Sequence, residues 1–278
     1  MLSNLSRTLT YACALLYAVL GVLLFFLPGR FTDAFAYKVT PFMMMTIGAW
    51  DIGNAWLAYV SARRWDWQLV STSLLYLWLF GILECIVLFL FRSEIKLTQF
   101  IGQLYLFALV LNFITAVVGV VDWLRSRPVL KAEQPQIPRL LRILPLGAVL
   151  FTGSLGLYGL LVPLGGLGTN GEVFPEALFP LVLRAFASFY FSLGLAVIPV
   201  LRYPNLRLFL NHIYSAMGFI IAITVAALVH LRLFDFARHP LGLGYIGAYV
   251  AVGIAIGIVN WKYGTGSSKE YGYDRLKS

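Results

Sequence analysis

Four polar side chains inside apolar stretches are the residues of this chain that can do chemistry. Asp51 and Asn54 stand three positions apart in G-A-W-D-I-G-N-A-W, so a helix places them on one face. Glu84 lies in G-I-L-E-C-I-V, and Arg184 lies in L-V-L-R-A-F-A-S-F-Y. Charged and amide groups in an apolar setting are typical of sites that bind an ion or a polar small molecule. These four are the candidate binding residues, with Asp51 leading.

Motifs for catalysis or for metal binding do not accompany these residues. The chain contains no H-E-x-x-H, G-x-x-x-x-G-K-[ST] or G-x-S-x-G sequence. Cys13 and Cys85 sit in apolar stretches without a C-x-x-C pair. His212 and His230 belong to one predicted helix, where their spacing of 18 positions corresponds to about 27 Å, too far to share one metal ion. We therefore expect no catalytic residue, metal or cofactor, and we lean against an enzyme.

The composition is that of a membrane protein. Of the 278 residues, 60% are hydrophobic and 12% are charged, and the mean hydropathy is +0.83. A soluble domain carries about 25% charged residues, so lipid is expected to cover much of this chain. The net charge of +9 does not indicate nucleic-acid binding, because the basic residues lie in short runs between apolar stretches. Membrane lipids are the expected partners.

Eight stretches are long enough to cross a bilayer, which takes about 20 mainly apolar residues in a helix. They are residues 9–27, 41–62, 67–91, 99–123, 142–162, 179–201, 207–231 and 241–262. No signal-peptide cleavage site follows the first stretch, so it counts as a span. The sequence predicts an all-α polytopic membrane protein with about eight transmembrane helices.

The distribution of lysine and arginine predicts the orientation. With eight spans, 14 of the 21 basic residues fall on the side that holds both termini. Cytoplasmic loops carry an excess of positive charge. We therefore place both termini in the cytoplasm and the chain in the cell membrane.

A polar, proline-rich segment, S-R-P-V-L-K-A-E-Q-P-Q-I-P, divides the spans into two groups of four. The predicted units are a first four-helix repeat at 1–125, a cytoplasmic linker at 126–138, a second repeat at 139–263 and a polar tail at 264–278. At an offset of 139, Pro41 aligns with Pro180, and at 138 the sequence G-V-V-D-W aligns with G-I-V-N-W. Four spans in each half make the halves parallel, with a pseudo-twofold axis along the membrane normal.

Each half resembles the small four-helix membrane proteins grouped as DoxX-like, or similar uncharacterised bacterial families. The resemblance lies in the helix count and in the start of the second and sixth spans. In each of these spans a pair of small residues begins seven positions after a proline. The pair is Gly48-Ala49 after Pro41 and Ala187-Ser188 after Pro180. The resemblance implies a four-helix fold for each half and carries no catalytic motif.

The depths of the charged residues predict how they meet. From the outer boundary, Arg184 lies about 8 Å deep, Glu84 about 10 Å and Asp51 about 16 Å, so an acid of the first half can pair with Arg184 across the interface between the halves. In the alternative, Arg184 extends to the headgroups while Glu84 carries a proton. The acids belong to the first half alone, because Asp51 aligns with Tyr190 and Glu84 with Ile223.

Three classes of function stay open at this point. The leading hypothesis is that the protein binds or moves a small molecule, lipid or ion at a site between the repeats, formed by Asp51, Asn54, Glu84 and Arg184. The alternative is a non-catalytic accessory or assembly subunit, whose partners are other membrane subunits or a second copy of the chain. A membrane enzyme that acts on a lipophilic substrate comes last.

Overall fold

Long helices make up most of the computed structural model, which describes residues 2–131, 135–163 and 176–264. Within these ranges the chain forms no β-strand. The helices are α1 (Asn4–Phe26), the four-residue α2 (Pro28–Phe31), α3 (Pro41–Arg64), α4 (Trp67–Leu90), α5 (Phe100–Ser126), α6 (Ile143–Leu161), α7 (Pro180–Arg202), α8 (Leu206–Val229) and α9 (Leu241–Val259).

Side chains at the loop ends fix where several helices begin. Thr40 accepts a hydrogen bond from the backbone N–H of Met43, and Pro41 occupies the first position of α3. Asp66 caps α4 in the same way, and Asn205 caps α8 through the N–H groups of Arg207 and Leu208. Such caps satisfy backbone donors that a helix leaves free at its start, and proline is suited to the first helical position.

Seven of the described helices are long and apolar enough to cross a membrane. They are α1 and α4 to α9, with α6 counted from Arg139 and α9 counted to Gly264. The predicted all-α fold with apolar, membrane-length helices is therefore confirmed. Where the sequence predicts eight spans, however, seven helices meet these criteria, because α3 carries Asp51 and Asn54 in its middle.

Helix α3 is surrounded by other helices. It packs against α1, α4 and α8, and 18 of its 24 residues are buried. The peripheral helices α6 and α9 are different. Of the apolar 18-residue stretch of each helix, only 11% is buried in α6 and 17% in α9. A helix covered by protein needs no apolar outer surface, which accounts for the polar residues that α3 carries.

Helices α1 and α3 pack with their backbones in contact. A Cβ atom added to Gly21 of α1 would lie 2.7 Å from the backbone nitrogen of Ile52. One added to Gly48 of α3 would lie 2.4 Å from the backbone nitrogen of Phe25. Glycines at both crossing points therefore permit this approach.

Helices α6 and α7 pack in the same manner. A Cβ atom on Gly156 would lie 2.2 Å from the backbone nitrogen of Phe191, and one on Gly159 would lie 2.8 Å from the Cβ atom of Ala187. The two groups of helices then meet through α3 against α8 and α4 against α7. The chain that joins the groups pairs with the turn between α7 and α8, where Ile137 donates to the carbonyl of Pro204 over 2.9 Å.

Candidate functional site

Asp51 and Glu84 are buried carboxyl groups on neighbouring helices. Helix α3 carries Asp51, which is 4% exposed, and α4 carries Glu84, which is 1% exposed. The two side chains are close enough to interact electrostatically. Among the described residues, Asp51 Oδ2 and Glu84 Oε2 have no hydrogen-bond partner. A buried carboxyl oxygen without a partner is costly, so these two atoms mark a place for a proton or a cation.

Four buried tyrosines lie on the two acid-bearing helices or on elements next to them. Each interacts electrostatically with both Asp51 and Glu84. They are Tyr17 of α1, Tyr37 of the loop before α3, Tyr76 of α4 and Tyr105 of α5. We call these six residues the acid–tyrosine cluster. All six belong to residues 1–125, the first predicted repeat, and the ring of Tyr76 also packs edge-on against Phe189 and Phe219 of the second.

Hydrogen bonds connect part of the acid–tyrosine cluster. The hydroxyl groups of Tyr37 and Tyr105 are 3.1 Å apart, and burial raises the pKa of Tyr37 well above its usual value. Tyr76 donates to the side-chain oxygen of Asn54 over 2.9 Å. The hydroxyl of Tyr17 and the amide nitrogen of Asn54 have no partner in the described parts of the chain. The region around the acids is therefore polar, and its hydrogen bonds within the described residues are incomplete.

Arg184 lies apart from the acids and binds the end of a helix. Its guanidinium donates to the carbonyl oxygens of Gly159 and Val162, the second over 2.7 Å. These carbonyls lie at the C-terminal end of α6, where a cation is favoured by the helix dipole and fills unpaired acceptors. Within the described ranges no ion pair joins Arg184 to Asp51 or Glu84. The predicted acid–arginine pair across the halves is not formed.

The second half contains a group of tyrosines that interact with one another, and one of them aligns with Asp51. Tyr190, which aligns with Asp51, forms a hydrogen bond of 2.9 Å with Tyr249, and Tyr245 interacts with both. Neutral hydroxyls that donate and accept to one another need no external partner. The position that aligns with Asp51 in the sequence therefore carries a hydrogen-bonded hydroxyl.

The sequence analysis missed the four tyrosines of the acid–tyrosine cluster. Tyrosine favours the ends of membrane helices, where its hydroxyl reaches water. Tyr17 and Tyr76 instead stand well inside their apolar stretches, and this placement was the available signal. Tyr37 gave no signal, because it lies in a loop whose path the spacing does not predict.

In the portion of the chain that the structure describes, no group of three or more histidine, cysteine or acidic residues could hold a metal ion. No protein-family model matches the chain, and neither a curated protein nor a solved structure matches it. Its apolar helices place it in the class of helical integral membrane proteins. The particular activity has to be argued from the chain's own residues, and the DoxX-like resemblance stays a prediction.

Proposed function

We propose that this protein crosses the membrane eight times as two parallel repeats and that it binds and moves a small cation at Asp51 and Glu84. The observation that carries the proposal is the pair of buried carboxyl oxygens without a partner. Two acids in a low-dielectric interior are stable only when a proton or cation balances them. No arginine, lysine or histidine within the described residues interacts with either acid. A cation from outside the chain is the partner that fits.

The eighth crossing is supported by the length and the neighbours of α3. Its 24 residues suffice to span the hydrocarbon core, and it packs along α1, α4 and α8. Its polar residues face protein and not lipid, so the low hydropathy of α3 does not oppose a transmembrane position.

The repeat is supported by equivalent helix crossings. Gly21 packs against Ile52 in the first half, and Gly156 packs against Phe191 in the second. Gly156 follows Gly21 by 135 positions. Phe191 follows Ile52 by 139 positions, and the offset of 139 also aligns the two prolines at the starts of α3 and α7. The same alignment pairs α3 with α7 and α4 with α8. The contact of α3 with α8 is therefore equivalent to the contact of α7 with α4, as a twofold axis requires.

A second candidate function is that of an accessory subunit. Helices α6 and α9 leave most of their surface uncovered, which lipid or the helices of another protein can cover. Purification in a mild detergent distinguishes the two candidates. A larger partner in fixed ratio favours the accessory subunit, whereas a chain that moves ions alone in liposomes favours the carrier.

The test of the proposed function is cation flux into liposomes that contain the purified chain. Uptake of Na⁺, of Rb⁺ as a substitute for K⁺, and of protons is compared with uptake by empty liposomes. We expect at least one flux to exceed the background and to fall tenfold or more in Asp51→Asn and in Glu84→Gln. Glu94→Gln makes the same chemical change at an exposed position and should leave the flux intact. Absence of all three fluxes contradicts the proposal.

A further inference from the structure

Helices α4 and α8 meet where the two halves of the chain face each other. We propose that this contact is a gate, closed in this structure, which parts to admit water and the cation to the interior of the bundle. The inference rests on the proposed function, because it names the place at which the cation enters.

Two contacts determine how α4 and α8 lie against each other. Near the start of both helices, the side-chain amide of Asn211 donates to the carbonyl oxygen of Leu69 over 2.6 Å. About two turns further along, the rings of Tyr76 and Phe219 pack edge-on, with 5.3 Å between their centroids. The partners are 142 positions apart in the first contact and 143 in the second. The two helices therefore run parallel at a constant register.

Three buried hydroxyl groups lie between these two contacts. Ser215 follows Ser73 by 142 positions and Thr72 by 143, so the register of the helices places them side by side. All three residues are fully buried. Their hydroxyl groups have no hydrogen-bond partner among the described residues. The contact of α4 with α8 thus contains three polar groups whose hydrogen bonds are not made within the described part of the chain.

Several buried hydroxyls of other helices behave differently. Thr46, Ser61, Thr115 and Ser188 each donate to the carbonyl oxygen four residues earlier in their own helix. This local bond is one that serine and threonine can make in any helix. A buried hydroxyl without a partner costs free energy, which a bound water molecule recovers. The hydroxyls between α4 and α8 therefore favour a state in which water reaches them.

Asn211 holds the contact closed at its rim. Its side-chain oxygen accepts from the guanidinium of Arg64 while its nitrogen donates to Leu69, so one side chain joins α8 to both α3 and α4. The Arg64 guanidinium also lies over the ring of Tyr214, 5.2 Å from its centroid. Arg64 is the last residue of α3 and is partly exposed, so water can replace its bond to Asn211. The rim can therefore open without leaving this charge unpaired.

The passage behind the hydroxyls ends at Tyr76. Its hydroxyl donates to the side-chain oxygen of Asn54 over 2.9 Å, and the amide nitrogen of Asn54 has no partner in the described ranges. Asn54 lies three residues from Asp51, on the same face of α3. The ring of Tyr76 also packs edge-on against Phe189 of α7, with 6.1 Å between the centroids. The hydroxyls thus lead from the rim to the polar face of α3, and aromatic rings close the bundle beyond them.

Other contacts between the halves are less suited to part. A Cβ atom added to Gly53 of α3 would lie 2.1 Å from a ring carbon of Phe219 of α8, so the ring lies directly on the helix backbone. Trp50 of α3 packs against Phe186 of α7, with 4.3 Å between the ring centroids. Separating these surfaces would expose apolar rings to water, which is unfavourable. Separating α4 from α8 at Ser73 and Ser215 exposes hydroxyls instead.

A disulfide across the contact tests whether it has to part. Ser73→Cys and Ser215→Cys are combined in a chain whose two native cysteines, Cys13 and Cys85, are replaced by alanine, and the purified protein is placed in liposomes. We expect oxidation with copper phenanthroline to join the new cysteines and to lower the flux of Na⁺, Rb⁺ or protons at least tenfold. A reducing agent should restore the flux, and oxidation should not change the flux of either single variant. Failure of the folded double variant to form a disulfide contradicts the register.

Entry of water is measured without any flux. Ser73→Cys, in the same chain without native cysteines, is held in lipid nanodiscs that leave both faces open and is treated with a charged thiosulfonate. The reactive species is the thiolate, which burial in apolar surroundings suppresses. We expect Ser73→Cys to react, and to react at least threefold faster when Asn211→Leu removes the bonds at the rim. Ser188→Cys makes the same change at a buried serine that is bonded within α7, and it should stay unreactive.

These results separate the gate from the proposed function. Absence of flux in the parent chain contradicts the proposed function. Flux that persists in the disulfide-linked protein contradicts the gate and leaves the carrier function standing. The same holds if Ser73→Cys reacts no faster than Ser188→Cys, with or without Asn211→Leu, while the parent chain shows flux.

Discussion

The indole of Trp50 stacks on the ring of Phe189, with 4.4 Å between the ring centroids and 9° between the ring planes. Phe186 packs edge-on against the same indole at 4.3 Å. Trp50 belongs to α3 and both phenylalanines belong to α7, so this contact joins the two halves of the chain. All three rings are buried.

Removal of either stacked ring should weaken the contact between the halves. Trp50→Ala and Phe189→Ala are each expected to cost about 3–5 kcal/mol of stability, because each leaves a cavity in a packed core. The double variant should lose about 0.5–1.5 kcal/mol less than the sum, which is the energy of the stacking itself. Unfolding by denaturant in detergent micelles measures these values. Trp261→Ala, at a position that is 76% exposed, is the control. Fully additive losses would show that the rings do not interact.

Glycine at the helix crossings should be essential for packing. Gly48→Ala and Gly156→Ala each place a methyl group on the backbone of the neighbouring helix, and we expect each to cost about 1–3 kcal/mol by overpacking. Gly147→Ala in α6 has nothing within 4 Å, so it should be neutral or stabilise the helix by up to about 1 kcal/mol. Thermal melting in detergent compares the three variants. Equal melting temperatures would contradict the close approach of the backbones.

Arg184 should act on stability and not on flux. Arg184→Gln removes the charged donor from the end of α6, with an expected loss of about 1.5–3 kcal/mol. Arg184→Lys keeps the charge but lacks the forked geometry and should recover part of the loss. Melting temperature is the measurement, with the exposed Arg232→Gln as control. A folded Arg184→Gln protein with normal stability and no cation flux would return Arg184 to the binding site.

Glu176 should make stability depend on pH. Its partial burial raises the pKa of the carboxyl group, against the opposing effects of the Thr40 hydroxyl that donates to it and of His230 nearby. Since the folded state favours the protonated form, the stabilisation is present below the ordinary value of 4.5 and is lost as the pH rises through the higher folded value. The melting temperature of the wild type should therefore fall more between pH 4 and pH 8 than that of Glu176→Gln. Identical pH profiles would exclude this contribution.

The position of α3 can be tested by labelling on its two sides. Asp33 precedes α3, Arg63 lies at its end, and both are exposed. If α3 crosses the membrane, a maleimide that cannot penetrate lipid should label Asp33→Cys in intact cells and Arg63→Cys only in inverted vesicles. The native Cys13 is buried and should add little background. Labelling of both variants from one side would remove α3 from the spans and change the predicted orientation.

The helices themselves could be predicted from the sequence to within a few residues. The third predicted span, 67–91, corresponds to Trp67–Leu90, and the prolines at positions 41 and 180 begin α3 and α7 as expected. This success has a physical cause, because the bilayer sets the length of an apolar helix and proline is suited to its first turn.

The direction in which the polar residues point could not be predicted. The spacing of Asp51 and Asn54 shows that they share one face of a helix. It does not show whether this face contacts α1 or the other half of the chain. The partners of Arg184 are backbone carbonyls, and every residue has one, so no sequence pattern marks Gly159 and Val162. Such choices depend on how the helices pack, which involves residues far apart in the chain.

The burial of α3 has a consequence for how the protein is made. A segment enters the bilayer during synthesis when its own side chains favour lipid over water, and α3 carries an aspartate and an asparagine near its centre. Alone in lipid, α3 would be a poor transmembrane segment. Its neighbour α8 is synthesised more than a hundred residues later. If α3 crosses the membrane as we propose, helix α1, which is already complete when α3 emerges, is the packing partner available to α3 during insertion.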